Sequence, residues 1–233
     1  MTETEQSTRA RQEILSSIRG HLAASARFDA HAAQPATPQR GAQSNSTKNN
    51  HDGPVIELFQ QALEAVSGHC SIVQNIDEAA RNVQQIVDQR KARRVAVSDS
   101  TLVKGILKRL KTEAAFLDAP NQSELFECDL GITSAQWAIA ETGTLVLEAE
   151  RERHRLASLV PPVHVAMVEA GRIRRTMSEI LELIKNTDIG LSRTVTFITG
   201  PSRTSDIELT LAIGVHGPGE LHVIVIDEPA QPA

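Results

Sequence analysis

The residues best suited to chemistry lie in three polar, glycine-containing segments that adjoin apolar runs. In the first, an apolar run stops at Glu141, turns through Thr142 and Gly143, and resumes at Thr144. Gly143 permits a positive φ or a close approach of the backbone to a ligand. Glu141 offers an acceptor or a general base, and the threonines offer hydroxyl groups. An ordinary β-hairpin turn with a hydrogen-bonding glutamate explains the same residues.

The second segment, residues 199–208, directly follows a predicted strand. Its polar side chains include Ser202, Thr204, Ser205, Asp206 and Glu208. Arg203 can form forked hydrogen bonds with a carboxylate or phosphate, balanced by the two acids, and a helix capped by Ser205 or Asp206 would add anion affinity. Because open α/β sheets bind ligands beyond the carboxyl ends of their strands, we expect an anion-binding crevice here. A capping loop with an internal ion pair is the alternative.

The third segment, residues 214–222, precedes the last predicted strand. Three glycines and one proline within residues 214–219 predict a tight loop. His216 suits a binding or acid–base role, with Gly217 beside it. The glycine spacing matches neither a dinucleotide fingerprint nor a phosphate P-loop. His216 and His222 have no third ligand at useful spacing, so no metal site is predicted.

The elements that must position these segments alternate between helical and extended patterns. Helices are predicted over residues 55–66, after an N-cap at Asp77, from Ser100 or Thr101 to Leu110, and over residues 177–185. Strands are predicted over residues 71–73, 94–98, 144–148, 163–168, 194–199 and 221–226. This alternation predicts one α/β domain, residues 54–228, with a Rossmann-like, mostly parallel sheet of about six or seven strands. Residues 229–233 form a tail.

The N-terminal region differs in composition from this domain. Residues 1–26 carry one apolar stripe, including Ile14, Ile18 and Leu22, which predicts an amphipathic helix. That helix packs on the main domain or docks on a partner subunit. Residues 27–53 contain no Ile, Leu or Val, which predicts a disordered linker.

Bulk composition excludes several classes of protein. A net charge of −5 and an aromatic content of 3% disfavour nucleic acid as a partner. No apolar run approaches the ~20 residues that span a membrane, and the start lacks a signal-peptide pattern, so a cytoplasmic protein is expected. Two cysteines are too few for an iron–sulfur cluster, so no cofactor is expected in this chain.

Four segments together resemble the lactate-utilisation (LUD) domain family, in particular its small LutC/YkgG-type subgroup. They are residues 140–148, 158–166, 199–208 and 214–223, within a resemblance running over about residues 55–227. The resemblance implies a fold similar to the NagB/RpiA/CoA-transferase group. It also implies a cluster-free subunit or accessory component of a bacterial system that oxidises L-lactate to pyruvate. Iron–sulfur sister subunits are the implied partners, and a small organic acid such as lactate or pyruvate is the implied ligand.

Two other functions fit the same residues. One is an independent CoA-transferase-like or sugar-phosphate enzyme that uses Glu141 as nucleophile or base, an analogy of fold alone. The other is a non-catalytic assembly protein whose N-terminal helix is a docking arm. Whether this chain is itself catalytic stays open at this point.

Overall fold

The computed structural model describes residues 54–149, 155–186, 194–205, 211–213 and 217–228, together with Ser16 and Ser192. The chain divides into two units, Met1–Asn50 and His51–Ala233. All described residues except Ser16 belong to the second unit. The predicted linker, the predicted tail and, apart from Ser16, the predicted N-terminal helix therefore lie outside the described residues.

Five α-helices occur among the described residues. They are α1 (Val55–Ala65), α2 (Ile76–Gln89), α3 (Thr101–Leu107), α4 (Gln122–Phe126) and α5 (Met177–Lys185). Two short 3-10 helices, η1 (Arg155–Ser158) and η2 (Ala170–Arg172), join later elements. The predicted bounds of α5 are confirmed because its apolar spacing buries Ile180 and Ile184 on one face.

Helix caps confirm one predicted boundary and correct another. The Ser100 hydroxyl accepts a hydrogen bond from the Val103 amide, so Ser100 is the N-cap of α3. The prediction of Asp77 as the N-cap of α2 is wrong, because Asn75 has the extended backbone of an N-cap and its side chain accepts from the Glu78 amide. Helix α3 also ends three residues earlier than predicted, at Leu107.

Twelve strands occur in the described part of the chain. They are β1 (His69–Val73), β2 (Arg94–Val97), β3 (Ala115–Asp118), β4 (Leu130–Ser134), β5 (Trp137–Ile139), β6 (Thr144–Glu148), β7 (Val163–Glu169), β8 (Ile173–Arg174), β9 (Val195–Ile198), β10 (Arg203–Ser205), β11 (Leu211–Ile213) and β12 (Glu220–Ile226). Six form one sheet in the order β1-β12-β7-β4-β2-β3, with every pair parallel. The prediction of a mixed α/β fold with a six- or seven-stranded, mostly parallel sheet is confirmed.

The remaining strands form two smaller sheets that the sequence analysis did not anticipate. A four-stranded sheet has the order β8-β5-β6-β9, in which β6 pairs antiparallel with both β5 and β9. Strands β10 and β11 form an antiparallel ribbon. Of the two candidate helix caps, Ser205 is excluded because it lies in β10, and Asp206 lies outside the described residues.

The core lies on both faces of the parallel sheet. Since side chains alternate along a strand, Val165 and Met167 of β7 face α2 and α3, whereas Ala166 and Val168 face α1 and the four-stranded sheet. Helix α1 thus packs between the two sheets, with Leu63 fully buried. No helix among the described residues is long and apolar enough to cross a membrane.

Candidate functional site

A cavity of about 360 Å³ opens where the amino ends of β7 and β12 approach β9 and the turn that follows it. Two of the three predicted polar segments meet here, since Ser202, Arg203 and Gly217 all line the cavity. The Ser202 amide donates a hydrogen bond to the Pro218 carbonyl at 2.7 Å, which joins the two segments directly. The fold therefore brings together residues that are fourteen or more positions apart in the chain.

The cavity lies at the amino ends of the parallel strands, whereas the sequence predicted a crevice at carboxyl ends of strands. His164 and Leu221, the second residues of β7 and β12, are paired in register and both line the cavity. The prediction of a crevice at the carboxyl ends of an open sheet is wrong, because β9 belongs to the four-stranded sheet. Its turn consequently approaches the amino ends of the parallel strands.

His164 is one of two almost fully buried polar residues of the cavity wall, the other being Ser158. The His164 side chain is 1% exposed, and its Nε2 atom lies 2.8 Å from the Thr133 hydroxyl. Burial, and to a smaller extent His222, lowers the pKa of the imidazole to about 3, so the ring is neutral near pH 7. The Nδ1 atom has no hydrogen-bond partner among the described residues. A buried polar atom left in this way costs about 1–3 kcal/mol.

Arg203 lies at the exposed end of the same cavity. Its Nη2 atom donates to the Val66 carbonyl at 3.1 Å and to the Ser67 hydroxyl. These bonds satisfy the carboxyl terminus of α1, where free carbonyls and the helix dipole favour a cation. Among the described residues both bonds use Nη2, and a guanidinium has five N–H donors. The geometry is therefore compatible with an anion at the mouth of the cavity.

The turns that contain Gly143 and Gly200 pack closely against the carboxyl-terminal end of α1. Gly143 and Gly200 have φ values of 64° and 79°, conformations that favour glycine. A Cβ at Gly143 would lie 2.5 Å from the Leu63 Cα, and one at Gly200 would lie 2.8 Å from the Val66 carbonyl oxygen. The close backbone approach inferred for Gly143 exists, but it is an approach to a helix.

A chain of threonine hydroxyls connects the first predicted segment to the cavity wall. The hydroxyl oxygens of Thr142 and Thr144 lie 2.7 Å apart, as do those of Thr144 and Thr199. Thr199 lines the cavity, whereas Thr144 is buried behind it. Thr142, Gly143 and Thr144 therefore support the wall and do not form it.

Glu141 lies outside the cavity wall. Its Oε1 atom accepts a hydrogen bond from the Met177 amide at 3.0 Å. Met177 is the first residue of α5, so the exposed Glu141 carboxylate satisfies one of the free amides of that helix. The arrangement is a β5–β6 hairpin turn with a hydrogen-bonding glutamate.

We expect Glu141→Ala to lower the free energy of unfolding by about 1 kcal/mol, as the loss of a side-chain acceptor at a helix N-terminus does. Glu141→Gln keeps an amide oxygen at the same place and should lose less than half as much. Chemical denaturation of both variants measures this. A Gln variant that keeps its stability but loses a catalytic activity of the wild type would contradict a purely structural role.

The roles of four predicted site residues are not tested by the structure. Asp206, Glu208 and His216 lie outside the described residues. Thr204 is in β10, paired with Ala212. The roles suggested for these four residues stay predictions.

Six cavity residues lie outside the three predicted segments, namely Ser158, Leu159, His164, Thr196, Phe197 and Ile198. His164 carried a usable signal, because it is the single polar residue within the apolar run of residues 163–168. Ser158 and Phe197 carried none, since a serine before a proline pair and a phenylalanine in a strand are ordinary.

The described residues include no group of three or more His, Cys, Asp or Glu side chains placed to hold a metal ion. Cys70 is half-buried, and burial, reinforced by Glu64, raises the pKa of its thiol to about 12. At neutral pH it is therefore a protonated thiol and a poor nucleophile.

Comparison with known proteins finds a family match over the domain that carries the cavity. Residues 56–226 match the model of the LUD domain. The chain is 42% identical over 98 residues to an uncharacterised protein of Neisseria meningitidis, an alignment covering 42% of each chain. It is 38% identical over 107 residues to lactate utilization protein C of Deinococcus radiodurans, covering 46% of this chain and 50% of that protein.

Further similarity extends to Bacillus subtilis and to a solved structure. Lactate utilization protein C of Bacillus subtilis is 31% identical over 105 residues, 44% of each chain. The chain thus spans half or less of the length of these curated relatives. A crystal structure of a DUF162 family protein from Deinococcus radiodurans shares the fold, with a TM-score of 0.56 and 24% identity. The likeness covers 74% of this chain and 96% of the other.

Proposed function

Because this chain belongs to the LUD domain family, we propose that it is a component of a bacterial lactate-utilisation system and binds a small organic acid. The observation that carries the proposal is the cavity, which combines the Arg203 guanidinium with the Ser202 hydroxyl and apolar walls. A forked cation beside a hydroxyl suits a carboxylate, and an apolar wall suits its carbon chain. Relatives named lactate utilization protein C support the same setting.

In this proposal the chain supplies binding, and redox partners supply electron transfer. A protein with two cysteines does not hold an iron–sulfur cluster of the usual four thiolates. Iron–sulfur sister subunits would accept the electrons released when L-lactate becomes pyruvate. The chain would present the acid, or hold its product, within that assembly.

We expect lactate or pyruvate to raise the melting temperature of the purified chain, since a ligand of the native state stabilises it. Arg203→Gln should weaken binding by about ten-fold or more, the usual loss for a hydrogen bond to a charged group. Calorimetric titration measures the dissociation constants. In a reconstitution with the iron–sulfur sister subunits, the wild type should raise the rate of lactate oxidation above that of those subunits alone.

Arg109→Gln is a matched control for Arg203→Gln. The Arg109 side chain likewise donates to a carbonyl of a helix, that of Gly105 in α3, at 2.9 Å. It does not line the cavity, so this variant should bind acids as the wild type does. Stabilisation by CoA or a phosphosugar, with none by an organic acid, would favour an independent enzyme. An unchanged oxidation rate would contradict a role in lactate oxidation.

A further inference from the structure

Helix α1 ends in a Schellman motif that has a serine where glycine is usual. The Ser67 amide donates to the Glu64 carbonyl, and the Gly68 amide donates to the Leu63 carbonyl, each at 2.9 Å. Ser67 has a φ of 67°, in the left-handed region that favours glycine. A serine with this φ strains the backbone, and strain of this kind points to a function of the side chain.

The Ser67 hydroxyl contacts Arg203. The Arg203 Nη2 atom donates one hydrogen bond to this hydroxyl and another to the Val66 carbonyl at 3.1 Å. Two acceptors at the end of α1 therefore take both N–H groups of Nη2. The donors on Nε and Nη1 have no partner among the described residues. The guanidinium is thus held on one side and can donate to a ligand from the others.

The same end of α1 borders the cavity. The Val66 carbonyl oxygen would lie 2.8 Å from a Cβ at Gly200, and Gly200 lines the cavity together with Arg203. The acceptor that holds the guanidinium is therefore in contact with the cavity wall. The Arg203 side chain is exposed, and an exposed arginine loses rotamer freedom on binding unless another group fixes it beforehand.

We infer that Ser67 is a positioning residue, which fixes the Arg203 guanidinium at the mouth of the cavity before an organic acid binds. This inference rests on the proposed function, because it takes Arg203 to contact the carboxylate of the acid. A guanidinium that is already fixed binds an anion with a smaller loss of conformational entropy. Ser67 thus raises the affinity through Arg203, without touching the ligand.

Ser67→Gly separates this role from a structural one. Because glycine relieves the strained φ, the variant should melt at the wild-type temperature or up to about 4 °C above it. Its dissociation constant for lactate or pyruvate should nevertheless rise about five-fold in a calorimetric titration, the usual effect of one lost hydrogen bond. Ser67→Asn should stay within about two-fold of the wild-type affinity, because asparagine tolerates the same φ and carries a side-chain oxygen.

Lys91→Gly is the matched control. Lys91 has a φ of 50° and occupies the same position in a Schellman motif at the end of α2. Its amide donates to the Asp88 carbonyl at 3.1 Å, and the Ala92 amide donates to the Val87 carbonyl at 3.0 Å. Lys91 does not line the cavity. This variant should keep or gain stability in the same way, and it should bind lactate and pyruvate as the wild type does.

A measurement without ligand separates this inference from the proposed function. NMR spectroscopy of the unliganded chain follows rotation of the Arg203 guanidinium, which should be slower in the wild type and in Ser67→Asn than in Ser67→Gly. Equal rotation in all three proteins, or equal affinity of the wild type and Ser67→Gly for an acid that binds, would overturn the role of Ser67 and leave the organic-acid site standing. If neither acid binds but Ser67 slows the guanidinium, the positioning of Arg203 stands and the organic-acid proposal fails.

Discussion

Gly143→Ala should unfold the protein or lower its free energy of unfolding by about 3 kcal/mol or more. Two separate costs combine at this position. The φ of 64° is strained for a residue with a Cβ, at about 1–2 kcal/mol. That Cβ would also lie 2.5 Å from the Leu63 Cα and 2.7 Å from the Ala62 carbonyl carbon. Both are backbone atoms of α1, so no side-chain rotation relieves the overlap.

Gly171→Ala is the matched control for this prediction. Nothing lies within 4 Å of a Cβ at Gly171, and the backbone there is in a short 3-10 helix on the surface. Its effect should stay within about 0.5 kcal/mol, as for other exposed substitutions. Urea denaturation followed by circular dichroism measures both. Comparable stability of the two variants would mean that α1 does not pack closely against the β5–β6 turn.

Mild acid should destabilise the protein through His164, by about 2 kcal/mol between pH 7 and pH 5. Burial lowers the pKa of this imidazole from 6.5 to about 3 in the folded protein. Between these values the unfolded chain binds a proton that the folded chain does not. The contribution is therefore fully present above pH 6.5 and is lost as the pH falls toward 3, at about 1.4 kcal/mol per pH unit.

His164→Gln isolates the contribution of His164, because the carboxylates that also titrate in acid are common to both proteins. The free energy of unfolding of the wild type should fall more steeply than that of the variant from pH 7 to pH 5. The starting stabilities can differ, since only the slopes are compared. Parallel slopes would show that folding does not lower the pKa of His164.

Local signals in the sequence were sufficient for most helices and for the class of the fold. Ser100 and the bounds of α5 follow from capping and apolar spacing, which depend on residues a few positions apart. Asp77 was mistaken for an N-cap because it has the right chemistry, but the helix already begins at Ile76. Only the backbone conformation distinguishes Asn75 from it.

The sheet to which each strand belongs depends on partners that are distant in the chain, so local sequence patterns could not predict it. β6 and β9 have the apolar composition of parallel strands, yet they pair antiparallel in a separate sheet. That pairing decides on which side of the parallel sheet the turn after β9 lies, and hence where the cavity forms. The polar residues Ser202 and Arg203 were found from their chemistry. His164 required the register of β7 against β12 to be recognised as their neighbour.

The packing of the Gly143 and Gly200 turns against α1 has a consequence for folding during synthesis. Helix α1 emerges from the ribosome before the strands that cover it, and N-terminal segments are made first. Leu63 belongs to the same buried cluster as Leu145 and Leu221, which are separated from it by about eighty and by more than one hundred and fifty residues. Contacts of such long range form slowly. The apolar face of α1 is therefore not fully covered until β12 has been synthesised.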